Sequence, residues 1–173
     1  ICSFYATKMI TSGGQGGAVI SRNKKLIDNI RDYREFDNRD DSKLRFNFQM
    51  TDLQAAIGRV QLKKLPSFIN QREKWFKIYK DIGLSLMDTK FKNHKPVRYR
   101  IVHKCDDPRN IINALAREGI RAIIPIEAWE LLDQPKKYLS AHSLTCSTVS
   151  LPAHLNLKED DIMRIGGIVK NII

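Results

Sequence analysis

SFYATKMITSGGQGG, residues 3–17, sets an apolar and aromatic stretch against a glycine-rich turn, with Lys8 near the junction. ICSFYA at 1–6 is the short run expected of a strand end. Gly13, Gly14, Gly16 and Gly17 predict a turn, and Ala18-Val19-Ile20 a second short strand, so the segment is expected to form a hairpin. Chemistry at such a lysine needs a neutral amine, which near neutral pH requires burial or nearby positive charge. Phe4, Tyr5, Met9 and Ile10 are the side chains placed to supply that burial. Ser3, five residues ahead of Lys8, has the reach to meet a phosphate oxygen, and the glycines admit close approach of a ligand. The glycines fit no P-loop, since no Gly-Lys-Ser/Thr follows, and they lack the strand–turn–helix context of a dinucleotide fingerprint. The ordinary alternative for Lys8 is a solvated surface amine.

Outward from this segment, Leu26, Ile27 and Ile30 share one face of a helix expected over 24–33. Residues 34–45, dense in Asp, Asn and Arg, predict an exposed loop. Thr51 and Gln54 form a capping-box pattern ahead of Leu53, Ile57 and Val60, while Ala55, Ala56 and Gly58 give that helix a small surface suited to close packing. Pro66 predicts the opening of a further helix carrying Phe68, Ile69, Trp75, Ile78, Tyr79 and Ile82. Beyond a boundary near residues 82–95, Val97 to His103 alternates like a strand, Asp107-Pro108 starts a helix over 109–118, and Gly119 ends it. Ile120 to Ile126 predicts a strand interrupted by Pro125, and Ser147 to Leu151 another extended piece. Lys158 to Asp161 opens a last helix with acids near its positive end.

The chain has 173 residues, 42% hydrophobic and 28% charged, which is a globular rather than a disordered composition. No apolar run approaches the roughly 20 residues needed to span a bilayer. No secretory leader is visible, although the chain does not begin with Met. Cys2, Cys105 and Cys146 are odd in number and widely spaced, and the four histidines lack metal-ligand spacing, so free thiols in a reducing cytoplasm are expected and a metal site is not. The formal charge of +11 would raise the local concentration of phosphorylated ligands, although solvated surface explains dispersed charge well. Nucleic acid is the weaker reading of it, because the basic residues (Lys24-Lys25, Lys63-Lys64, Lys90 to Lys104, Lys136-Lys137) are dispersed.

A resemblance sharpens this. SFYATK followed by the Gly-rich GG-AV segment resembles the lysine motif of the DegT/DnrJ/EryC1/StrS family, sugar aminotransferases of fold type I. RFNFQMTDLQAAIGRVQLKKL (45–65) is similar to that family's aromatic-flanked Asn, Met/Leu-Thr-Asp/Glu, Gln-Ala-Ala and Gln-Leu. YRIVHKCDDPRNIINALAREGI (99–120) resembles its small-domain strand and helix, and STVSLPAHLNLKEDDIMRI (147–165) its Ser-Leu-Pro with a closing helix. The likeness implies an α/β fold, the C-terminal part of a fold type I transferase that depends on pyridoxal 5′-phosphate. The end of the large domain then occupies 1–85 and the small α/β domain 86–173.

By the same resemblance Lys8 falls on the Schiff-base and acid–base lysine, and Ser3 on the hydroxyl that holds the cofactor phosphate. Asn47 falls on the asparagine that reaches the phosphate bound in a neighbouring subunit, which implies a homodimer. The implied reaction moves an amino group, usually from glutamate, onto a nucleotide-linked keto-sugar. Ser3 as a plain strand serine and Asn47 as a turn residue are the alternatives, and Tyr5 is a candidate for the sugar site. Gln49, Arg45 and Gln15 stand where the family often has Arg, Gly and Glu. The acid that pairs with the pyridine nitrogen and the side chain that stacks on the ring lie ahead of the lysine in the family. Neither is assigned in this chain, so this chain alone is expected to be inactive and to need the N-terminal portion. A non-catalytic remnant or interaction module of the same fold is the alternative, with a basic polyanion-binding domain behind it.

Overall fold

The structure, a computed structural model, describes residues 1–89, 93–133 and 137–173. Parts of the 82–95 boundary, of the Lys90 to Lys104 run and of the Lys136-Lys137 pair lie outside the described residues. Two compact units result, Ile1–Pro66 and Ser67–Ile173.

In the first unit, β1 (Cys2–Ser3) and β2 (Gly17–Ala18) pair antiparallel, with Cys2 opposite Ala18 and Ser3 opposite Gly17. The hairpin is therefore present, with its second strand one residue earlier than the sequence suggests and without Val19 and Ile20. Helix α1 (Lys24–Arg34) starts where Asn23 accepts the Leu26 amide through its side chain at 3.1 Å, and it ends with Arg31 and Arg34 at the negative pole. Helix α2 (Asp52–Asp81) opens with the capping box: the Gln54 amide donates to Thr51 Oγ1 at 3.3 Å, and the Thr51 amide to Gln54 Oε1 at 3.1 Å.

Pro66 does not open a helix; it lies inside the 30-residue α2. Proline there leaves the Leu62 carbonyl without its intrahelical donor. Leu62 and Pro66 are both exposed, so water can satisfy that group and the helix runs on through the proline.

Among the described residues the second unit has one core. Trp75, Phe76 and Tyr79 of α2 join Ile101 of β3 (Ile101–Lys104) and Ile111 and Leu115 of α3 (Pro108–Arg117). Val149 and Leu151 of β4 (Thr148–Leu151) and Ile162, Ile165 and Val169 of α5 (Glu159–Lys170) complete it. β3 and β4 pair antiparallel from Ile101–Leu151 to Lys104–Thr148. Residues 85–87 extend this sheet beside β3, with the Met87 amide donating to the Val102 carbonyl at 2.8 Å.

The expected strand over 120–126 reduces to a single residue pair, Ile123 with Ser150, because Pro125 has no amide to extend the ladder. The strand expected from Val97 begins only at Ile101. Arg98 adopts φ 50°, which ends any extended run, and Arg72 instead donates to the carbonyls of Arg98 and Tyr99 at 3.1 and 2.6 Å. Helix α3 is capped by the Asp107 side chain on the Asn110 amide at 3.0 Å and gives way to Gly119 at φ 72°. A 3₁₀ turn (Ala128–Glu130) and α4 (Leu139–Cys146) precede β4; the sequence carried no sign of α4, which has no polar cap and buries only Thr145.

Candidate active site

Lys8 lies on a loop closed at its base by the two ends of residues 4–12. The Lys8 amide donates to the Tyr5 carbonyl at 2.9 Å, and the Ser12 amide to the Phe4 carbonyl at 3.0 Å. Ser12 is 0% exposed, and its hydroxyl reaches the Gln15 carbonyl at 2.8 Å and the Phe4 carbonyl at 3.3 Å. Sequence reasoning missed this residue; a serine between a threonine and two glycines gives no sign of burial.

The glycines are required by the chain's own packing. A Cβ on Gly16 would lie 2.3 Å from Ser12 Oγ and 3.0 Å from Met50 Sδ, and one on Gly17 2.9 Å from the Cys2 carbonyl oxygen. Gly13, at φ 80°, has Ile57 Cδ1 3.0 Å from that position, and Gly58 of α2 faces the Ser12 Cβ at 3.8 Å. The small surface expected on α2 is therefore in use at Gly58. The close approach attributed to a ligand is instead made largely by Ser12, Met50, Ile57 and the Cys2 backbone.

The expected burial of Lys8 is not found. Phe4, Met9 and Ile10 are half-buried, whereas Tyr5 and Lys8 are exposed, because the strand ends at the surface of its unit. Ser3 is exposed on β1, its hydroxyl oxygen accepting the Tyr5 amide at 3.4 Å, so it shares the loop's base with Lys8.

Asn47 sits on a different segment, tied to α1. The Phe46 amide donates to the Tyr33 carbonyl at 3.0 Å, and the Phe46 and Phe48 rings stack at 5.1 Å on either side of Asn47 in sequence. Asn47 itself is exposed and accepts the Gln49 amide at 3.4 Å. β1, β2, α1 and Phe48 border a groove of about 530 Å³ that includes Ala18, Ile27, Ile30 and Tyr33.

Arg45 is the centre of a charged cluster in this unit. It pairs with Asp32 and Asp41, and Lys43 pairs with Asp32. Hydrogen bonds from Lys43 and Arg45 hold the Asp32 carboxyl below its usual range, and those from Arg45 hold Asp41 lower still. Among the described residues no cluster of three or more His, Cys, Asp or Glu is arranged to hold a metal, and no helix is long and apolar enough to cross a membrane.

The chain is 28% identical over 191 residues to the UDP-4-amino-4,6-dideoxy-N-acetyl-beta-L-altrosamine transaminase of Helicobacter pylori, covering 95% of this chain and 50% of that protein. Among solved structures it matches S. venezuelae DesV, in complex with a ketimine intermediate, at TM-score 0.87 and 22% identity, over 98% of this chain and 50% of the other. A DegT DnrJ EryC1 StrS aminotransferase from Brucella abortus matches at TM-score 0.86 and 20% identity, over 98% and 49%. The chain thus spans about half the length of the relatives it matches from end to end, consistent with a C-terminal α/β part. The profile of the DegT/DnrJ/EryC1/StrS aminotransferase family, whose members depend on pyridoxal phosphate, matches residues 1–170, and the chain belongs to that family.

Proposed function

We propose that this chain is the C-terminal portion of a pyridoxal-phosphate-dependent aminotransferase that transfers an amino group, from glutamate, to a nucleotide-linked keto-sugar. Lys8 Nζ is the point of covalent attachment. The observation that carries this is the placement of Lys8: a primary amine on a loop fixed by Ser12, one strand end from the Ser3 hydroxyl, in a chain that matches the family from residue 1 to residue 170. The residues present fit two ends of the cofactor. Lys8 offers the amine its aldehyde requires, and the Ser3 hydroxyl and Asn47 amide offer hydrogen bonds to phosphate. When bound, the cofactor withdraws electrons from the bond being broken. Once an incoming amine has displaced it from the cofactor, Lys8 Nζ would be a free amine, and the chain's own contribution would be to hold and return the proton that moves.

Asn47 serves the phosphate of a second subunit, so the working form is a homodimer, in the cytoplasm, with the large domain ending near residue 85. The exposure of Lys8 favours one second reading, a non-catalytic remnant of the fold. Visible absorbance of the chain mixed with pyridoxal 5′-phosphate tests the first reading against it. Wild type should develop the yellow band of a protein-bound imine, and Lys8→Ala should lose most of it. Equal bands in the two proteins would contradict the role of Lys8.

A further inference from the structure

The segment that presents Asn47 is held by an unusual anchor. Arg45 has 6% of its side chain exposed, although it follows a loop of charged residues. Its Nε and Nη2 donate to Asp32 Oδ1 at 3.1 and 2.9 Å, and its Nη1 and Nη2 donate to Asp41 Oδ1 and Oδ2 at 2.6 and 2.9 Å. Asp32 belongs to α1 and Asp41 to the loop that returns from it, so one guanidinium ties the loop to the helix. All three of its nitrogens are engaged. With Asp32 and Asp41 balanced by Lys43 and Arg45, the cluster is formally neutral and offers no charge to a phosphate.

The consequence lies one residue on. The Phe46 amide is bound to the Tyr33 carbonyl at 3.0 Å, and the Phe46 ring lies 5.1 Å from those of both Tyr33 and Phe48. Arg45 therefore fixes the backbone immediately before this stack, and Asn47 emerges from the middle of it. A planar fork meets two carboxylates at once, whereas an ammonium has no such geometry.

We propose that Arg45 is a positioning residue: its fork across Asp32 and Asp41 sets the direction in which Asn47 is presented. This rests on the reading of Asn47 as the residue that reaches a phosphate.

The test is NMR of the full chain carrying Arg45→Gly, Arg45→Lys or Asn47→Ala. Arg45→Gly should speed exchange of the Phe46 amide about tenfold or more and move the Asn47 side-chain amide signals to solvent-averaged positions, with exchange in α2 unchanged. Arg45→Lys should restore part of the protection, since it keeps one ion pair. Unchanged Phe46 exchange and Asn47 signals in Arg45→Gly would overturn the proposal, and so would a uniform acceleration across the chain. Retention of pyridoxal 5′-phosphate by wild type and Asn47→Ala separates the two claims. Equal retention removes the phosphate role of Asn47 and leaves the Arg45 result to stand or fall on the spectra.

Discussion

Replacing Ser12 with alanine should loosen the Lys8 loop without unfolding the protein. The Ser12 hydroxyl is fully buried and gives the Gln15 carbonyl its bond at 2.8 Å, while the Phe4 carbonyl keeps the Ser12 amide at 3.0 Å. One carbonyl is therefore left short of a partner, not two. Net loss of one such bond in a part-buried setting costs about 1–2 kcal/mol. That raises the population of the open loop by about 5–30-fold. Trypsin reads this directly, since cleavage after Lys8 requires several residues around it to leave their bonded conformation, whereas cleavage after Lys24, on the exposed start of α1, serves as an internal control. The ratio of the two rates should rise by that factor in Ser12→Ala. A ratio within twofold of wild type, in a protein with unchanged helical content, would refute Ser12 as the fastener of the loop. Gly16→Ala extends the same reasoning, because its Cβ would fall 2.3 Å from Ser12 Oγ. The damage from Gly16→Ala should shrink in a Ser12→Ala background, and strictly additive effects would contradict the contact.

Two further predictions concern the second unit. Gly166→Ala should lower stability by about 1 kcal/mol despite alanine's better helix propensity, because overpacking outweighs that gain. The new Cβ would meet Ile82 Cδ1 at 2.5 Å and Tyr79 Cδ1 at 3.3 Å, and since the Tyr79 ring is fully buried, Ile82→Val should rescue only part of the loss in urea unfolding. His103 is buried, its Nδ1 bonded to the Ser85 carbonyl at 3.1 Å and its Nε2 without a partner among the described residues, and burial pushes its pKa down. The unfolded state then binds the extra proton first, so the stability from neutral His103 is complete above its unfolded value near 6.5 and is lost as pH falls through the folded value. Thermal unfolding of wild type should decline on acidification from pH about 7 to about 5.5, and His103→Leu should flatten that slope. An equal slope in both proteins would assign it to other groups.

Where local chemistry decides structure, the sequence was sufficient. Asp107 before Pro108, Gly119 after α3, the Thr51–Gln54 pair and the acids opening α5 each act within four residues, and each appears at or beside its expected place. Where partners come from far along the chain, the pattern misleads or is silent. Pro66 carries a strong local signal, yet it lies inside α2, at an exposed turn where water can take the carbonyl it frees. Arg98 leaves the extended region because its guanidinium binds Glu73 and Asp88 at 2.9 and 2.7 Å and lies 3.5 Å over the Phe76 ring, contacts that alternation of apolar residues does not encode. At the candidate site the hairpin and its lysine were legible. Ser12 was not, because its partners are backbone carbonyls, and the Arg45 fork was not, because it closes 4- and 13-residue separations at once.

The central claim is that Lys8, among many exposed amines, is the one that holds pyridoxal 5′-phosphate. Borohydride reduction of the chain after incubation with the cofactor, followed by peptide mapping, tests it most directly. The account predicts one dominant modified peptide, the one containing Lys8, suppressed by Lys8→Arg with no other peptide rising to replace it. Modification spread over Lys24, Lys63, Lys77 and the other surface lysines, with Lys8 no more labelled than they are, would contradict it.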